Sequence, residues 1–66
     1  MNYPEIHSRW QHTNGNTYRV TAITNAHATI QQKYPVTVVY EGKNGNVWSR
    51  PFSDWHRSMT EIKEQS

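Results

Sequence analysis

The side chains that could do chemistry are few and scattered. Histidine occurs at His7, His12, His27 and His56, at separations of 5, 15 and 29. A zinc site made of imidazoles alone needs three rings converging on one point, with acceptors behind them. No two of these histidines have the His-x-x-x-His spacing, and there is no cysteine to complete a set. Ser53, Asp54 and Ser58 surround His56, which are the residue types of a hydrolytic triad. Successive positions on a turn point in different directions, however, so adjacency in sequence is not triad geometry. Ser53 or Asp54 reads more simply as a turn cap. Glu5, Glu41, Asp54, Glu61 and Glu64 form no pair for acid–base work, and a domain this short lacks the depth to shut water out of a site. The expectation is no enzyme, no catalytic residue, no metal and no cofactor.

Arg50, which precedes Pro51, has two readings. Its guanidinium could stand beside Trp48 or Trp55, ready for a phosphate, a carboxylate or a base. Alternatively it stacks on a tryptophan and pairs with Glu41 or Asp54, fixing the corner where a strand meets a turn; this second reading is favoured. Cations also alternate with rings at Tyr18-Arg19, Lys33-Tyr34, Trp48-x-Arg50 and Trp55-His56-Arg57. That interleaving marks surfaces on which single-stranded nucleic acid stacks. A short chain needs most of its rings for packing, and Tyr34 and Tyr3 look least committed to it. Arg19, Lys33, Tyr34, Arg50 and Arg57 are therefore the candidate contacts to a partner or a nucleic acid.

These residues must be positioned by a very small body. Sixty-six residues make one domain, and a domain of that size buries only about 60% of the surface its unfolded chain exposes. Without cysteine it has no disulfide to help. Only 33% of the residues are hydrophobic, and leucine is absent. The apolar material is instead aromatic and β-branched, which favours strands over helices. The net charge of +2 and a pI near 9.2 reflect seven cations against five anions, too mild an excess to imply nucleic acid alone. No apolar run approaches the ~18–20 residues of a membrane span, and residues 1–5 lack the pattern of a signal peptide. Cytoplasmic residence is the default expectation.

Along the chain, residues 1–7 read as a loose lead-in, 8–62 as a single β domain and 63–66 as a frayed end. Ser8 to Thr13 predicts a first strand anchored by Trp10. Asn14-Gly15-Asn16 suits the tight turn of a hairpin. In Thr17 to Thr24 the period of two puts Tyr18, Val20 and Ala22 on one face, and Ile23 breaks it, which points to a bulge. Asn25 to Tyr34 carries too few apolar anchors for an amphipathic helix and reads as a long connecting loop. Val36 to Glu41 is dense in β-branched and aromatic residues, with Val36, Val38 and Tyr40 facing the core. After the Gly42-Lys43-Asn44-Gly45 turn, Asn46 to Arg50 returns with Trp48 packed inward. Pro51 stops that strand or places it at an edge. One helical turn near residues 52–56 should present Phe52 and Trp55 on a common face, and Ser58 to Ile62 should close the sheet. The fold class is mostly β: a small bent antiparallel sheet or SH3-like barrel of four to five strands.

Several of these pieces occur in a recognisable order: Trp10-Gln-His12, Gly15-Asn-x-Tyr18-x-Val20, Val38-Val39-Tyr40, Val47-Trp48-x-Arg50-Pro51, Trp55 and Met59-x-Glu61-Ile62. From Arg9 to Ile62 the chain resembles a family of small bacterial and bacteriophage proteins of unknown function. The resemblance implies an SH3-like fold and a bacterial or mobile-element origin, and brings no established activity. It departs from the family's pattern in Asn25 to Tyr34, and at Trp55, where phenylalanine is more usual. The expectation is a non-enzymatic interaction module of phage or prophage origin that binds a host or phage protein. The alternative is a nucleic-acid-binding protein using Arg19, Lys33, Arg50 and Arg57. A homodimer formed through an uncovered sheet edge is compatible with either.

Overall fold

A computed structural model describes residues 3–30 and 32–63. Five antiparallel strands form one sheet: β1 (Arg9–His12), β2 (Thr17–Thr24), β3 (Thr37–Glu41), β4 (Val47–Pro51) and β5 (Met59–Glu61). Their order across the sheet is β4-β3-β2-β1-β5. The first four strands are thus a meander, and the last returns to the free side of β1. Because β4 and β5 do not pair, the sheet is bent and open rather than closed into a barrel. A 3-10 turn over Phe52–Asp54 runs directly into the single short helix α1 (Trp55–Ser58), and together they carry the chain from one edge of the sheet to the other.

The hairpin turns follow from residue type. Gly15 and Gly45 hold φ of 92° and 81°, the region that glycine enters without a Cβ penalty. Gly42 is needed for a different reason: a Cβ there would stand 3.2 Å from Cε1 of Tyr18, whose ring lies across the turn.

The bulge expected in β2 is centred on Thr21. Val20 pairs with Tyr40 and Ala22 with Val39, so Thr21 is the extra residue. An inserted residue reverses the alternation beyond it. Tyr18 and Val20 therefore face the core before the bulge and Ile23 faces it afterwards, while Ala22, expected on the core face, is turned off it.

The core comprises Trp10, Val20, Val38, Tyr40, Trp55 and Met59, with Tyr18, Ile23 and Phe52 packed at its margin. Val36 is buried as well, so the face expected for β3 is the one observed. The rings form a chain of close contacts. From Tyr18 it passes to Tyr40 at 5.2 Å, Trp55 at 5.1 Å and Trp10 at 5.3 Å, measured between successive centroids and each pair edge to face. It continues through His56 and Phe52 to Tyr3. Edge-to-face pairs add about 0.5–1.5 kcal/mol each beyond the area they bury, which is how a chain without leucine builds a core.

Two expectations about this core need correction. Trp48 does not pack inward as a core residue: it is 52% exposed. It faces the same side as its partner Tyr40, but β4 is an edge strand and no strand among the described residues lies beyond it. Tyr3 is not a spare ring, because it packs edge-on against Phe52 with 4.7 Å between centroids. Residues 3–8 carry no strand, yet they are tied to the sheet. Pro4 is buried, His7 donates its backbone N–H to Val20 at 2.7 Å, and Ser8 accepts from the Val20 N–H. Residue 63 is exposed; residues 64–66, read from the sequence as fraying, lie outside the described residues.

Candidate binding site on the concave face

The candidate contacts are distributed over the molecule rather than gathered. Arg19 projects from the face of β2 opposite the core and pairs with Glu41 across the strands at 3.4 Å. Arg57 lies on α1 and pairs with Asp54 one turn back. Lys33 and Tyr34 lie in the loop between β2 and β3, where the ammonium stands 5.6 Å from the ring centroid. Arg50 alone points to the concave, core-bearing face, as its pairing with Val38 requires.

Arg50 is also where the favoured sequence reading fails. Glu41 and Asp54, its expected partners, belong to Arg19 and Arg57. The Arg50 guanidinium instead reaches across the concave face to His12 on β1, with Nη2 3.4 Å from Nε2 of the ring. In a flat sheet β4 and β1 would be three strand spacings apart, roughly 14 Å. The contact is therefore a direct product of the bend. Nη1 of Arg50 is buried and has no hydrogen-bond partner.

The hairpin turn fixes which nitrogen of His12 carries the proton. Nδ1 accepts a hydrogen bond from the backbone N–H of Asn14 at 3.0 Å. A neutral imidazole that accepts at Nδ1 holds its proton at Nε2. Nε2–H and the Arg50 Nη2–H groups are then both donors, and they face each other with no acceptor between them among the described residues. A second orphan donor, Nε1 of Trp55, is buried in the same core. Buried donors without acceptors are uncommon, and each costs about 1–3 kcal/mol.

A groove of about 370 Å³ runs between the two hairpin turns, with Tyr18, Lys43, Asn44 and Trp48 among its walls; neither His12 nor Arg50 lines it. Trp48 is two residues from Arg50 on the same face of β4, and the Tyr18 ring lies 6.5 Å from that of His12. Two of its walls are thus neighbours of the His12–Arg50 pair.

A second concavity of about 420 Å³ belongs to the long loop, with His27, Ile30 and Tyr34 on its walls. This loop has its own internal order. Asn25, at φ 63°, starts it, and its side-chain amide donates to the Pro35 carbonyl at 3.1 Å, clasping the neck. The Ala28 N–H donates to the Asn25 carbonyl, and that of Tyr34 to the Ile30 carbonyl. Ile30 and Tyr34 remain 57% and 46% exposed.

Of the residues weighed for hydrolysis, His56 packs its ring against Trp10 and Phe52. Neither the 3-10 turn nor α1 receives a side-chain cap hydrogen bond, so Ser53 and Asp54 do not cap; Asp54 serves Arg57 instead. Among the described residues, no three His, Asp or Glu side chains gather where they could hold a metal ion. No helix there is long and apolar enough to cross a membrane. Sequence reasoning missed Trp48 and His12 as members of the candidate site. His12 had a readable signal, its place two residues before Asn14 in the turn; Trp48, though weighed beside Arg50, reads as a core ring. No family model, curated protein or solved structure matches the chain.

Proposed function

We propose that this chain is a small non-enzymatic interaction module, of phage or prophage origin and cytoplasmic residence, that binds a host or phage protein. The observation that carries the reading is the fate of the rings. Six of the eight aromatic residues join the packed chain through the core, whereas Trp48 and Tyr34 stand outside it, about half exposed. Near Tyr34 the aliphatic Ile30 is exposed too; Val47, also exposed, precedes Trp48 on β4 but faces the opposite side of the sheet. Large rings kept out of so small a core are a considerable sacrifice of stability, and protein interfaces draw on such residues. Strand β4 also offers an unpaired edge, to which an extended segment of a partner can add. Strand order and the short helix before the last strand support the finer comparison with SH3-like domains, by analogy of fold only. The same edge is where a homodimer would form.

The alternative, a nucleic-acid surface, has weaker support. Arg19 and Arg57 are engaged by carboxylates, and Arg50 faces the opposite side from Arg19; the cations that do gather, Arg9, Arg19 and Lys43, stand around Glu41.

The test is affinity capture from bacterial lysate with wild-type protein and two surface variants, Trp48→Ser with Val47→Thr, and Ile30→Ser with Tyr34→Ser. A protein retained by wild type and released by one of the variants is the expected outcome. Retention of nothing, or retention only of nucleic acid that salt removes, would defeat the reading.

A further inference from the structure

We propose that His12 and Arg50 form the receptor for a carboxylate group, supplied by the protein that the module binds; the identity of the supplier rests on the interaction reading, the carboxylate site itself does not. The chemistry is dictated by what is lacking. The turn commits Nδ1 of His12 to the Asn14 N–H, which leaves Nε2–H pointing toward a guanidinium 3.4 Å away. Two donors face each other, one of them on a charged group, and Nη1 of the same guanidinium is buried without a partner. No carboxylate of the described residues contacts Arg50. The cluster is therefore positive and short only of acceptors.

A carboxylate supplies what is missing. Its oxygens accept from the Nη2–H of the guanidinium and from the neighbouring imidazole N–H; Nη1, sealed from solvent, joins only where the side chain turns. A cation has no acceptor to meet here, and a neutral amide brings no charge to balance the guanidinium. The groove walled by Tyr18 and Trp48 does not include the pair, so a segment lying there reaches it only through a carboxylate side chain or chain end that extends beyond the groove. Before it arrives, the guanidinium is a partly buried charge without a counterion, a costly arrangement in a domain of marginal stability.

The experiment is an NMR titration of the full chain with sodium acetate against sodium chloride at equal ionic strength. The readouts are the Arg50 side chain, the His12 ring nitrogens and the Trp48 indole N–H. In the free protein the His12 nitrogen shifts should report a proton on Nε2. Acetate should move all three groups along one saturating curve that chloride does not reproduce. In Arg50→Lys, which keeps the charge but loses the fork, the acetate affinity should fall about tenfold. In Arg50→Met the response should vanish while the thermal midpoint holds or rises, since an apolar chain replaces a charge without an acceptor. Two short peptides separate the sources: one amidated at its C-terminus and carrying a glutamate, one with a free C-terminal carboxylate and no acidic side chain. Whichever saturates at the lower concentration names the kind of group received. A His12 proton on Nδ1, equal responses to acetate and chloride, or an Arg50→Met variant that loses stability would each overturn the proposal. A positive titration beside an empty capture experiment would keep the site and remove the partner reading.

Discussion

Trp55 holds the sheet, the helix and the ring chain together. Its side chain is fully buried and lies edge to face with both Trp10 and Tyr40. Truncation to alanine removes two ring pairs and leaves a cavity that so small a body cannot fill by collapse. Such changes cost about 3–5 kcal/mol, and domains of this size have little more than that in reserve. Trp55→Ala is therefore expected to be largely unfolded at 25 °C by near-ultraviolet circular dichroism. Arg19→Ala, which breaks a pair exposed on both sides, should cost less than about 1 kcal/mol by urea denaturation. A folded, cooperative Trp55→Ala would mean that the aromatic chain contributes far less than its contacts imply.

The elements differ in how firmly they are held. Strands β2 and β3 lie inside the sheet and carry Val20 and Val38, both fully buried. Strand β4 has one neighbour and mainly exposed side chains. Native-state hydrogen exchange should therefore be slowest in the β2–β3 ladder, with the outer strand β4 opening at lower free energy. Equal or greater protection in β4 would point to a covered edge. It is also at the level of elements that sequence and structure can be compared. Thr17–Thr24 stands as a strand to the residue, because its alternation and the Asn14–Gly15 turn are local signals. The helical turn, expected near residues 52–56, spans Phe52 to Ser58. What periodicity did not convey was closure. A pattern of two tells which residues share a face, and it placed Trp48 on the side of Tyr40, where it lies. Whether that side is covered depends on which strands meet across the sheet, a non-local fact that no window of residues contains. The same limit hid the Arg50–His12 contact, between residues 38 positions apart.

At the scale of the whole molecule, the open edges matter most. The sheet ends on one side in β4, with Val47 and Trp48 exposed, and on the other in the three-residue β5. A long edge with apolar side chains invites pairing with another chain, whereas a very short one resists it. Pro51 at the end of β4 removes one N–H from that edge and limits the length available. Sedimentation at two concentrations should show whether copies associate there. Where they do, Val47→Lys on β4 should return the protein to monomer and a charge on β5 should not. Association that survives the β4 change would move the self-contact to another face.

The clasp between Asn25 and Pro35 has a consequence for how such a domain could diversify. With the neck tied by a side chain that belongs to neither β2 nor β3, the strands do not register what lies between the two anchors. Lengthening a surface loop is thermodynamically inexpensive, about 0.6 kcal/mol for each doubling. The segment between the anchors is thus an exchangeable cartridge. Substitutions and insertions between the anchors can therefore accumulate while the framework beneath is inherited unaltered.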